Sequence, residues 1–191
     1  MLNKTLKQLT LLFLVVLATL SCEKSDDEMD TSGDLLGDWE LISYTSNGST
    51  TATVQDNTLT SSFTSKALNI DYIITFSENP NRAITENGSF DVELISSVNG
   101  VNSTETTTIS DINSEAGWSR NGNIITFTED FASFNTNAPV IDEDLSTNPD
   151  YIIEELTNTS LILSTSASEQ INSSGVDFDI NLSLRLTFTR I

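Results

Sequence analysis

From residue 176 to residue 188 every second side chain is apolar: Val176, Phe178, Ile180, Leu182, Leu184, Leu186 and Phe188. Between them stand Asp177, Asp179, Asn181, Ser183, Arg185 and Thr187. Side chains of a strand alternate between its two faces, so an unbroken period of two specifies a strand with one dry and one wet face. At about 3.3 Å per residue the stretch would span roughly 43 Å if straight, which is long for a small sandwich and ordinary for a barrel. The expected fold class is all-β, an antiparallel meander β-barrel of about 8–10 strands closed by this last strand.

The same alternation recurs upstream. Leu68, Ile70, Tyr72, Ile74 and Phe76 predict a strand, as do Phe90, Val92 and Leu94. Asn-Gly pairs stand at 47–48, 87–88, 99–100 and 121–122. Each is expected to be a two-residue hairpin, because asparagine and glycine both tolerate the positive φ that such turns need. Residues 49–66 are rich in serine and threonine and predict one or two edge strands around Val54 and Phe63. Residues 129–150 break the rhythm with Pro139, Pro149 and the run Asp142-Glu143-Asp144. A structureless loop of that length is uncommon in a compact domain, so this one is expected to cap the mouth of the barrel.

The amino-terminal residues have a different character. Lys4 and Lys7 precede an apolar run over residues 9–20, broken only by Thr10 and Thr19 and followed by Ser21 and Cys22. This is the build of a secretory signal, too short for a membrane span of about 20 residues. The expected organisation is a signal peptide over 1–21, Cys22 with an acidic disordered tether over 22–33, and one domain over 34–191. Cys22 is the chain's only cysteine, so no internal disulfide can stabilise the fold.

Two resemblances add to this. Thr19-Leu20-Ser21-Cys22 resembles the lipobox of bacterial lipoproteins, with leucine one place later than usual. That implies acylation of Cys22, anchoring to a membrane through the lipid, and a place in the cell envelope as an outer-membrane lipoprotein, periplasmic or surface-exposed. Gly37-Asp38-Trp39 resembles the Gly-x-Trp signature of the lipocalins. In that family the tryptophan packs across the closed end of the barrel beside a late arginine, which implies the pair Trp39 and Arg190. Leu35-Leu36-Gly37-Asp38-Trp39 and Phe188-Thr189-Arg190 together resemble the two ends of lipocalin-like domains of bacterial lipoproteins. The middle of the chain matches only in rhythm, and it departs through the long 129–150 insert and the lack of a disulfide pair and a clear C-terminal helix.

An eight-stranded interior either fills with side chains or leaves room for one small ligand. The candidate ligand-lining residues are Tyr72, Phe76, Phe90, Trp118, Phe127 and Phe178. Two function classes follow: a lipid-anchored barrel holding a small apolar ligand, or a non-enzymatic interaction module with a filled core that binds a glycan or a protein. Enzymatic chemistry finds little support, since the chain has no histidine to act as a base near neutral pH. Neither Asp26-Asp27-Glu28 nor Asp142-Glu143-Asp144 has the spacing of a calcium loop, so no metal and no cofactor is expected. Without Lys4 and Lys7, six basic residues face 28 acidic ones, a net charge near −22 that excludes nucleic acid as a partner. A monomer is expected. A transmembrane barrel would need aromatic girdles, and aromatics are 7 % of this chain and scattered.

Overall fold

The computed structural model of the protein describes residues 30–54, 57–129, 150–173 and 176–191. Cys22 and the acidic runs at 26–28 and 142–144 lie outside the described residues. Nine strands are found among the described residues: β1 (Gly37–Val54), β2 (Asn57–Asp71), β3 (Ile73–Ser77), β4 (Arg82–Val98), β5 (Val101–Asn121), β6 (Ile124–Phe127), β7 (Tyr151–Leu156), β8 (Ser160–Ser173) and β9 (Val176–Arg190). Among the described residues no helix is long and apolar enough to cross a membrane.

All nine strands belong to one antiparallel sheet, in the order β2-β1-β3-β4-β5-β6-β7-β8-β9. Two further pairings, β1 with β9 and β2 with β4, return the hydrogen bonding on itself like a ring. Only Tyr72 separates β2 from β3, and its carbonyl accepts from the Leu41 amide at 2.9 Å, so the two follow one bent path.

The strands differ greatly in length, and that divides the sheet in two. β6 and β7 are short and pair with β5 and β8 only near the Trp39 end. Beyond them six strands run on in the order β5-β4-β2-β1-β9-β8. In this extension residues 101–116 of β5 and 165–173 of β8 have strand partners on one side only, among the described residues.

The core sits at the Trp39 end, where all strands contribute. Trp39, Leu41, Ile74, Phe76, Phe90, Ile125, Phe127, Ile153, Leu161, Leu163 and Phe188 are all buried there. Residues 30–36 cross this end of the sheet. The Gly33 amide donates to Leu156 O at 2.8 Å, the Leu156 amide donates to Asp30 O at 2.6 Å, and the Leu35 side chain is buried. Part of the stretch expected as tether is therefore bonded to the domain.

Two of the four Asn-Gly pairs are turns. Asn99 and Gly100 have φ of 52° and 79°, which suits a primed hairpin turn between β4 and β5, and Gly122 with φ 64° turns β5 into β6. The other two lie inside strands. Asn47-Gly48 is in the middle of β1, where Gly48 faces Phe63 of β2, and a Cβ on Gly48 would fall 2.5 Å from the Phe63 ring. Asn87-Gly88 lies at a register shift of β4 against β5, and a Cβ on Gly88 would fall 2.7 Å from the Tyr72 ring. In both places the missing side chain lets an aromatic ring lie against the backbone, so glycine serves packing rather than reversal of the chain. Residues 49–66 likewise differ from expectation. Residues 49–54 and 57–66 belong to the paired strands β1 and β2 in the interior of the sheet, because β2 pairs with β1 on one side and with β4 on the other.

Candidate functional site

At one end of the sheet the structure brings Trp39 and Arg190 together. The two are register partners on β1 and β9, and the Arg190 guanidinium carbon lies 4.2 Å from the centre of the indole. The indole Nε1 donates to Leu35 O at 2.8 Å. Arg190 donates to Asn158 O at 2.9 Å, to Leu36 O at 2.6 Å and to Asp34 O. Gly37 has φ +115°, and a Cβ there would meet Arg190 Nη1 at 2.9 Å. Only glycine suits both demands. The arginine thus ties the crossing segment to the last strand while covering the tryptophan, which is fully buried.

Five of the six candidate ligand-lining residues pack on the core. Tyr72, Phe76, Phe90 and Phe127 are buried, and Trp118 is half-buried against them. They touch one another: Phe76 lies 6.1 Å from Trp118 and 6.3 Å from Phe127, and Tyr72 lies 6.3 Å from Phe90, measured between ring centres. Tyr151 and Tyr44, not singled out from the sequence, extend the chain of rings, at 5.6 Å from Phe127 and 6.0 Å from Phe90. Such tilted and edge-on contacts are the preferred geometry of packed aromatics. Phe178 stands apart. It is half-buried, opposite Ala52 and Ile171 in the extension, and is not part of the buried core.

Two tyrosine hydroxyls enter this interior with polar company. Burial pushes the Tyr72 phenol up, partly offset by the hydroxyls of Thr85 and Ser114, which face each other across β4 and β5. Burial likewise pushes Tyr44 up, against hydrogen bonds with Ser65 and Ser46. Both are clusters of neutral hydroxyl groups around a buried phenol, whose burial disfavours the charged form. Among the described residues no group of three or more His, Cys, Asp and Glu side chains could hold a metal ion.

Two grooves lie elsewhere, on the outward face of the extension. Along the register, one row crosses all six strands as Thr104, Ile95, Thr64, Asn47, Ser183 and Ser166. The next is Asn102, Ser97, Ser62, Ser49, Asn181 and Ser168. A groove of about 510 Å³ lies over β1, β9 and β8 between residues 47–49, 166–168 and 181–183. A second of about 250 Å³ lies over β1, β2 and β4, with Asn47 common to both. Lys66 and Glu93 form an ion pair of 2.8 Å in the second. Nothing in the sequence marked these positions, because serine, threonine and asparagine at alternate sites also describe any wet strand face.

No family model, no curated protein and no solved structure matches this chain.

Proposed function

We propose that the protein is a lipid-anchored, lipocalin-like β-barrel of the bacterial outer membrane that acts as a non-enzymatic binding module. Cys22 carries the acyl anchor, the closed end is built on Trp39 and Arg190, and the partner is held on the outward face of the long strands. One observation carries the choice of module over interior carrier. The aromatic side chains that would line a chamber close on one another, whereas two grooves lie on the outside. The ring-like pairing of β1 with β9 supports the barrel.

A second reading is the carriage of a small apolar ligand. It is favoured by the inward column of β9, which continues past the core through Leu184, Leu182, Ile180 and Phe178, with Leu182 39 % exposed. Native mass spectrometry and titration with a fluorescent fatty acid separate the two. The full chain, purified in mild detergent, is expected to carry no stoichiometric small molecule and to take up no fatty acid at micromolar concentration. A stoichiometric apolar adduct would overturn the module in favour of the carrier.

A further inference from the structure

We infer that the outward face of the long strands is a binding site for a neutral, unbranched oligosaccharide lying across the strands over Asn47 and Asn181. This rests on the binding-module reading above and names its ligand class. The first support is shape. The two grooves are on one face and share Asn47, so together they make a concave band crossing the sheet from β4 to β8.

The second is chemistry. On the larger groove the outward side chains are Asn47, Ser49, Ser166, Ser168, Asn181 and Ser183, none charged, in a chain of net charge −20. Each offers both a donor and an acceptor, which is what a ligand made of hydroxyl groups requires. The acidic surroundings repel polyanions. A protein partner would ask for apolar or aromatic anchors at the centre of its interface, and the outward side chains of this groove supply none.

The third is vacancy of the amides. Farther along the same strands Gln170 donates to Asp179 at 2.6 Å and Asn172 donates to Asp177 at 2.5 Å, so those amides are spent within the protein. Among the described residues the Asn47 and Asn181 side chains have no protein partner. Their bonds go to water, which a sugar's hydroxyls can replace. Finally, neighbouring strands lie about 4.8 Å apart, close to the length of one pyranose ring. Ser49, Asn181 and Ser168 are direct register partners, so a chain running across the strands meets one polar side chain per sugar.

The test is calorimetric titration of the full chain in mild detergent with cellohexaose, laminarihexaose, maltohexaose and, as a charged comparison, hexagalacturonate. At least one neutral hexaose is expected to bind and hexagalacturonate is not. Asn47→Ala and Asn181→Ala should each weaken that binding about ten-fold, the effect of losing one or two hydrogen bonds. Asn172→Ala, on the same face outside the groove, should leave it unchanged. Both groove positions are at the surface, and unchanged urea midpoints would show that the variants fold. The inference is overturned if no neutral hexaose binds, or if the Asn47 and Asn181 variants bind as tightly as the parent. An unstructured peptide that binds instead, and is lost in those variants, overturns the sugar and leaves the module standing. Interior uptake of a fatty acid overturns the module itself.

Discussion

Arg190 carries its charge into a nest of carbonyls, those of Leu36, Asp34 and Asn158, with the Trp39 indole 4.2 Å from its guanidinium carbon. Hydrogen bonds from a charged donor contribute about 1.5–3 kcal/mol, and a cation over an indole about 0.5–2 kcal/mol. Replacement by alanine removes these bonds and uncovers the indole, so Arg190→Ala is expected to cost about 2 kcal/mol, read as a fall in the urea midpoint. Arg190→Lys should recover less than half, because an ammonium cannot bond three divergent carbonyls and cover a ring at once. Full recovery by lysine would show that charge alone matters there. At this scale the sequence was informative in part. Arg190 stands two residues after Phe188, in the apolar phase of the last strand, and the resemblance carried by Gly37-Asp38-Trp39 implied its pairing with Trp39. The carbonyls could not be foreseen, since any residue type supplies one.

The free stretches of β5 and β8 pose the usual hazard of open strand edges, which invite pairing with another chain. Neither stretch has a proline or a lysine. Each does place one glutamate on the inward face: Glu105 shares a register position with Leu94, and Glu169 with Ile180. A second chain docking on either edge would have to bury that carboxylate, which is costly without a partner. Glu105→Val together with Glu169→Val is therefore expected to drive association, seen as a rise in mean mass over the parent in light scattering at about 100 μM, with little change in the unfolding midpoint. A variant that keeps the parent's mean mass would show that something else guards the edges. The elements also show where pattern reading fails. Asn-Gly signals a hairpin at 99–100 and an aromatic shelf at 47–48, and the two differ only in what lies across the sheet, Phe63 in the latter case. β5 runs unbroken from Val101 to Asn121, with Asp111 at φ 56° taken up where its register against β4 shifts at Gly88.

Over the whole molecule, stability depends on pH through groups at opposite ends of the scale. Burial raises the phenols of Tyr44 and Tyr72 above the ordinary tyrosine value near 10. Their contribution is complete below about pH 10 and is lost as pH rises through the folded values, because the unfolded chain releases those protons first. Glu154 is lowered, first by the Ser164 hydroxyl and less by Arg185 at 2.8 Å, with burial opposing. Its contribution is present above the usual carboxylate range and is lost as pH falls through the folded value. Urea midpoints measured from about pH 3 to pH 11 should thus drop on both limbs. Tyr44→Phe with Tyr72→Phe should flatten the alkaline limb even where it lowers the midpoint at neutral pH. An alkaline limb of unchanged slope in that variant would remove the tyrosines from the account.

What the sequence determined by itself is the side on which each residue falls. Alternation is local and follows from strand geometry, so the strand class, the inward phase of β9 and the wet phase between were all readable without a fold. How deeply a residue is buried was not. Phe178 and Phe188 share a strand and a phase, yet Phe188 is 1 % exposed and Phe178 stands half-buried outside the core. The difference is what lies opposite. Near Phe188 the short strands β6 and β7 complete the circuit and inward side chains meet others, whereas near Phe178, among the described residues, only the six long strands continue. Burial needs a second surface, and the second surface is supplied by residues far away in the chain. For the same reason the grooves at Asn47 and Asn181 exist only in the folded molecule, where β1, β8 and β9 lie side by side.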